Sequence, residues 1–190
     1  MMMMKTSLFA IAAAIATPAV AAPESFTVDP RHTFPSFEVS HLGFSTQRGR
    51  FNASSGKIVL DRAAQKGSID VVIDTRSVDT GLEKLEEHLR GEDFFNAAKY
   101  PTITFKSDAV RFKGDVPVAA EGELTMLGVT KPVTLTISSF NCGVHPISKK
   151  DTCGADATTS IVRSEFGMKY ALPAVGDQVK LNIQVEATRD

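Results

Sequence analysis

Residues 82–105 read LEKLEEHLRGEDFFNAAKYPTITF, and this stretch decides the fold. Leu82, Leu85 and Leu89 fall on one stripe of a helix, and charged residues cover its other faces. Gly91 can adopt the left-handed conformation that ends a helix, and Pro101 favours extended backbone at the residue before it. The stretch therefore predicts a short amphipathic helix followed directly by a strand.

The strand that follows is two-faced, and its pattern recurs along the chain. Ile103 and Phe105 alternate with polar residues, as in a half-buried strand. Similar alternation occurs at residues 26–28, 37–41, 58–60, 69–73, 124–126, 133–137 and 179–185. About eight to ten such strands against one helix predict an antiparallel all-β domain, either a sandwich or a barrel.

A closed barrel is favoured over a sandwich because closure removes the exposed edges of strands that are two-faced along their whole length. A lipocalin-like barrel of eight strands has a bore that is either filled by side chains or wide enough for one slim ligand. Periodicity alone does not distinguish these two cases. The phenylalanines of the chain fit a packed core as well as a sleeve around a ligand.

The composition indicates one globular domain: 190 residues, 43% hydrophobic, with a formal net charge of −1. Acidic and basic residues are interspersed, and the chain has no Trp. Nucleic acid is therefore not an expected partner, because neither a basic patch nor a rich stacking surface is present.

Residues 1–21 have the pattern of a secretory signal peptide, which leaves residues 22–190 as the mature domain. Lys5 precedes the apolar run 8–15, and Ala19-Val20-Ala21 supplies the small residues of a cleavage site. Cleavage after Ala21 is favoured over cleavage after Ala22, which would place Pro23 directly behind the cut. The alternative is an uncleaved anchor, but the apolar run is short for the ~20 residues of a membrane span.

Cys142 and Cys153 flank the polar segment GVHPISKKDT. In an oxidising compartment a lone pair at this spacing predicts a disulfide. The alternative is a metal site with His145 as a third ligand, but the paired CxxC spacing of zinc sites is absent.

Several ordered phrases together resemble the YceI-like proteins across essentially the whole mature chain. They are VDPRHTFPSFEVSHLGFSTQRGRF (28–51), SVDT (77–80), EEHLRGEDFFNAAKYPTITF (86–105), GELTMLGVTKPVTL (122–135) and RSEFGMKYALPAVGDQVKLNIQVEA (163–187). Thr33 departs from the Ser that the family more often has after the His, and the Cys pair occurs in only part of the family.

The resemblance implies an eight-stranded antiparallel β-barrel with one short helix, in the periplasm, that holds an isoprenoid lipid or an isoprenoid quinone. No other cofactor and no metal is expected, and transient membrane contact and a homodimer stay open. The expected cavity residues are Phe37, Val39, His41, Phe51, Ile58, Val71, Ile73, Leu85, Leu89, Phe94, Phe95, Ile103, Phe105, Leu124, Met126, Leu135, Ile137, Arg163, Phe166, Leu181 and Ile183.

Within that set, His41 and Arg163 are the candidates to contact a polar head group. His41 shares the parity of Phe37 and Val39, although a histidine bonded within the core fits equally well, and a solvated arginine is the simpler interpretation of Arg163. We expect a binding protein rather than an enzyme, because none of the motifs GxSxG, HExxH, GxGxxG or P-loop is present. The alternatives are an enzyme that acts on such lipids and a filled barrel that serves as an interaction module.

Overall fold

The computed structural model of the protein describes residues 22–190, so the predicted signal peptide lies outside the described residues. The strands are β1 (Glu24–Val28), β2 (Phe34–His41), β3 (Ser45–Phe51), β4 (Ser54–Asp61), β5 (Lys66–Asp74), β6 (Val78–Asp79), β7 (Thr102–Lys113), β8 (Val116–Met126), β9 (Val129–Val144), β10 (Asp151–Val162) and β11 (Val175–Arg189). One α-helix, α1 (Glu83–Arg90), and two 3-10 helices, Thr75–Ser77 and Arg163–Phe166, complete the described part of the chain. None of these helices is long and apolar enough to span a membrane.

The strands form a closed antiparallel sheet, which confirms the predicted barrel. Neighbouring strands pair in the order β1-β4-β5-β7-β8-β9-β10-β11-β2-β3-β6, and β1 also pairs with β11. Both β1 and β2 pair with β11, so together they act as one long interrupted strand. On their other side β4 pairs with β1 and β3 pairs with β2, so β3 and β4 act as a second interrupted strand. The β5 and β6 segments likewise run in sequence beside β4 and β3. The wall therefore has eight long strands.

The Asp29 carboxylate holds the segment between β1 and β2 in place through contacts with Arg31 and His32. Asp29 accepts hydrogen bonds from the backbone and side chain of Arg31, and it lies 2.9 Å from Nδ1 of His32. The hydrogen bond from the Arg31 side chain is the main cause that holds the pKa of Asp29 well below its ordinary value of 3.8. The folded chain therefore favours the ionised carboxylate at this junction.

Asp29→Asn is expected to reduce the loss of stability in acid. Because the pKa of Asp29 is lowered by folding, its carboxylate stabilises the protein above pH 3.8, and this contribution disappears as the pH falls towards the folded-state value. We expect the difference in free energy of unfolding between wild type and variant to be about 1 kcal/mol at pH 7, because Arg31 is exposed and screened. Urea titrations at pH 7 and pH 3 measure it. An equal difference at both pH values would contradict this assignment.

The stretch 82–105 folds as helix and strand, with two corrections to its expected details. Leu82 is the residue before α1, in extended conformation and exposed, so only Leu85 and Leu89 of the predicted stripe face the core. Gly91 has φ −74° and ψ 177°, which is not left-handed. The left-handed residue is Asn96, at φ 43°, because the chain leaves the helix through further turns before it reverses.

The lower end of the barrel, where the β9–β10 turn lies, is closed by a second apolar cluster. Its buried members are Phe26, Leu60, Cys153 and Ala187, and Ile58, Phe112, Phe140 and Cys142 pack against them. Cys142 and Cys153 are directly paired across β9 and β10 and form a disulfide, with a Cα–Cα distance of 4.1 Å. This bond confirms the predicted disulfide over the metal site. It also links the hairpin to the packed floor of the bore.

Replacement of both cysteines by Ser is expected to lower the free energy of unfolding by about 2–3 kcal/mol. The bond closes a short loop, with a sequence separation of 11, and a loop of this size gives about that value in the chain-entropy account. For a chain of this length the melting temperature should fall by about 5–10 °C. Thermal unfolding with and without reductant measures it. A wild-type protein that is insensitive to reductant while its thiols are demonstrably free would contradict the expectation.

Candidate ligand-binding site

The inward side chains of the barrel enclose a long, narrow apolar bore. The cavity inside the bore has a volume of about 230 Å³. Many of the inward residues on β9 and β11, such as Leu135, Ile137 and Ile183, are only half-buried although they point away from bulk solvent. The bore is therefore hollow, which the alternation of residues alone did not establish.

Most of the predicted cavity residues line this bore. They are Phe37, Val39, Phe51, Ile58, Val71, Ile73, Leu89, Phe94, Phe95, Ile103, Phe105, Leu124, Met126, Leu135, Ile137, Arg163, Leu181 and Ile183. They lie on β2, β3, β4, β5, β7, β8, β9 and β11, on α1 and the segment that follows it, and on the 3-10 helix after β10. Whether they contact a ligand is a prediction that the geometry alone does not test.

Three predicted residues do not line the bore. His41 is the last residue of β2, where it pairs with Val175, and Val175 takes the lining position at this rim. Leu85 is half-buried and packs against the main core from α1. Phe166 is buried in the 3-10 helix after β10, because the chain leaves the strand at Val162. The inward parity predicted along β2 therefore does not make His41 a lining residue at the rim.

Sequence reasoning also missed lining residues, for two reasons. The alternation pattern could have identified four of them, because each has the same parity as a predicted cavity residue on its own strand: Ile69, Val133, Val179 and Val185. Val110 and Phe140 lie beyond β-bulges in β7 and β9, where the inward parity changes from odd to even. The remaining missed members, most of them small or polar or near a strand end, are Thr33, Pro35, Ser36, Leu60, Pro117, Ala120, Ala155, Ala157, Ile161, Met168 and Val175.

The upper end of the bore, opposite the disulfide, is covered by aromatic side chains. The Phe51 and Phe95 rings lie 5.3 Å apart, and Phe37 packs against both. Phe94 also lines the bore, and its ring lies 5.4 Å from that of Tyr170 in the connection between β10 and β11. Phe94 and Phe95 are thus part of the cover of the bore.

Among the described residues that line the bore, Arg163 is the charged one, and it is only 2% exposed. Its Nε donates to the carbonyl of Gly176 at 2.8 Å, and Nη1 donates to the carbonyl of Met168 at 3.0 Å. Its Nη2 donates to the carbonyls of Tyr170 and Val175 at 3.0 and 2.9 Å. Burial lowers the pKa of Arg163, and the nearby Asp177 carboxylate opposes that effect. Four of its five N–H groups therefore hold the β10–β11 connection in place.

The polar residues Thr33 and Ser36, which also line the bore, are hydrogen-bonded. Thr33 Oγ1 donates to the carbonyl of Glu186 and accepts from its N–H, and Ser36 Oγ donates to the carbonyl of Asn182. Between residues 22 and 190, no group of three His, Cys, Asp or Glu side chains is placed to hold a metal ion. The arrangement is suited to enclosing an apolar chain.

A closed eight-stranded barrel around a hollow apolar bore is the class of architecture that the structure defines. The profile of the YceI-like domain matches residues 26–187. Protein YceI of Escherichia coli is 38% identical over 174 residues, which cover 90% of this chain and 89% of that protein. The chain therefore belongs to the YceI-like family.

Solved structures share the fold. BcnA of Burkholderia cenocepacia matches with a TM-score of 0.69 and 26% identity, over 84% of this chain and 98% of that one. A polyisoprenoid binding domain from Saccharophagus degradans matches with a TM-score of 0.66 over 88% of this chain and 99% of that one. At 16% identity, the second comparison is a likeness of fold alone.

Proposed function

We propose that the protein binds one long isoprenoid lipid or isoprenoid quinone in its bore and carries, stores or buffers it in the periplasm. The observation that carries this proposal is the hollow, almost wholly apolar bore, closed at its floor and covered at its upper end. The description of the Saccharophagus degradans relative as polyisoprenoid binding supports the same class of ligand. The pattern of residues 1–21 and the Cys142–Cys153 disulfide support export.

The length of the bore sets how much of a prenyl chain it encloses. Lining residues on β11 extend from Val175 to Val185, which is roughly 33 Å of strand, or roughly 25 Å along the axis of a barrel with tilted strands. At roughly 1.2 Å per carbon–carbon bond along the prenyl chain, about five extended isoprene units fit this length. A longer chain has to bend or leave its end at the mouth.

Energetics favour exchange with a membrane over permanent capture. Transfer of the roughly twenty-five carbons of five isoprene units from water into the bore would give ~20 kcal/mol at ~0.8 kcal/mol per CH₂, which already reaches the ~20 kcal/mol ceiling of non-covalent affinity. Water is therefore not the relevant reference state. A bilayer is as apolar as the bore, so the free energy of the lipid is nearly the same in both. The lipid can therefore be both loaded and released.

Mass spectrometry of organic extracts from protein purified from the periplasm tests the proposal. We expect close to one prenyl lipid or quinone per chain, together with a native mass that is larger by the same amount. Substoichiometric, mixed lipids that are lost on a detergent wash would contradict it. Chemical conversion of an added prenyl lipid would instead identify an enzyme.

A further inference from the structure

The turn between β2 and β3 carries the most exposed apolar side chain in the described part of the protein. Leu42, Gly43 and Phe44 form this turn, which we call the apolar tip; Phe44 is 90% exposed and Leu42 is 52% exposed. Leu42 has φ 54° and Gly43 has φ 73°, both left-handed. Turns of this kind favour Asn or Asp at the first of these positions, so the chain has an apolar residue where a polar one would fit better.

The apolar tip is joined to the covered end of the bore. The N–H of Leu42 donates to the carbonyl of Ala174 at 2.7 Å, so the tip is held against the β10–β11 connection. Met168 of this connection and Val175, the first residue of β11, line the bore, and Arg163 donates to the carbonyls of both. The apolar tip and the wall of the bore therefore form one continuous structure.

Further apolar surface lies on the same connection. Tyr170 is 47% exposed, and its ring contacts that of Phe94, which lines the bore. At this end, aromatic side chains thus continue from the surface into the cavity. A prenyl chain that enters here would pass along apolar groups instead of crossing water.

We propose that the apolar tip inserts into the surface of a lipid bilayer when a lipid passes between the membrane and the bore. This inference rests on the proposed function, because a ligand that resides in a bilayer needs a contact there. The tip is convex and has two large apolar side chains, too little for a protein interface of about 1,200 Å². Its neighbours Ser45, Thr46 and Gln47 are uncharged, so the binding energy comes from burial of the apolar side chains.

The opposite end of the barrel offers a matched control. Ile147, in the β9–β10 turn, is 86% exposed, which is close to the exposure of Phe44. It lies beyond the second apolar cluster and the disulfide, which close the floor of the bore. A lipid therefore has no open path from Ile147 to the cavity.

Single tryptophans at the two ends test the proposal, because the chain contains no Trp. In the folded full mature chain, the fluorescence of Phe44→Trp should shift to the blue on addition of phosphatidylcholine vesicles, and brominated phosphatidylcholine should quench it. Ile147→Trp should show neither effect. Equal effects at both positions, an effect at Ile147 alone, or none at either would overturn the proposal. A blue shift of Phe44→Trp that depends on protein concentration without vesicles would overturn it in favour of contact between two copies.

A second variant separates this inference from the proposed function. Phe44→Ser should bind vesicles at least tenfold more weakly and take up lipid from them more slowly, while its lipid content after expression stays at the wild-type level. Unchanged vesicle binding would overturn the role of the apolar tip. An empty bore in both proteins would count against the proposed function alone.

Discussion

Arg163→Met is expected to lower the free energy of unfolding by about 4 kcal/mol. The substitution removes a buried guanidinium that donates hydrogen bonds to the carbonyls of Met168, Tyr170, Val175 and Gly176. Methionine fills part of the volume but donates no hydrogen bond, and each buried carbonyl left without a partner costs about 1–3 kcal/mol unless water reaches it. Urea unfolding followed by circular dichroism measures the change.

Arg111→Met is the matched control for this experiment. Arg111 lies on β7, is exposed, and pairs with the exposed carboxylate of Glu121. An exposed pair of this kind contributes about 0–1 kcal/mol, so the control should change stability little. If both variants lose the same small amount, Arg163 does not stabilise the β10–β11 connection in the way its hydrogen bonds indicate.

Val71→Phe is expected to reduce the lipid that copurifies with the protein at least tenfold. Val71 lies on β5, faces the bore, and pairs with Phe105 on the adjacent strand. Since the bore is narrow, a phenyl ring at this level would obstruct it. Overpacking of a closed core costs about 1–3 kcal/mol, but here the ring can enter empty space, so the protein should remain folded. Native mass spectrometry reports both the folded state and the occupancy.

Val72→Phe provides the control, because Val72 is next in sequence and faces the outside of the same strand. It adds the same ring to the same strand without narrowing the bore, and it should keep the wild-type lipid content. A folded Val71→Phe protein with full occupancy would show that the lipid does not pass this level of the bore.

The fold was predictable because its main signal is local. Period-two alternation in stretches such as 133–137 and 179–185 identifies strands without knowledge of their partners, and consistently two-faced strands favour closure. The helix in 82–105 was predictable for the same reason. The predicted disulfide needed only the compartment and the spacing of Cys142 and Cys153.

The details of the site depend on three-dimensional facts that alternation does not contain. A bulge adds one residue and reverses the inward parity, which is why Val110 and Phe140 were missed. Whether the bore is hollow depends on its diameter relative to side-chain size, and the same pattern of apolar residues fits both a hollow bore and a filled one. The role of Arg163 depends on carbonyls up to thirteen residues away that only the folded connection brings together. The identity of the lipid remains a prediction.

The pairing of β1 with β11 has a consequence for the order of folding. Phe26 and Thr27 meet Arg189 and Thr188, so the two extremes of the domain close the wall together. Until residues beyond Val175 are available, the sheet has two open edges and encloses nothing. A growing chain therefore has no ligand-competent intermediate, and contacts of such long sequence separation make folding slow compared with that of a helical protein. The bore can only close once β11 pairs with β1 and β2.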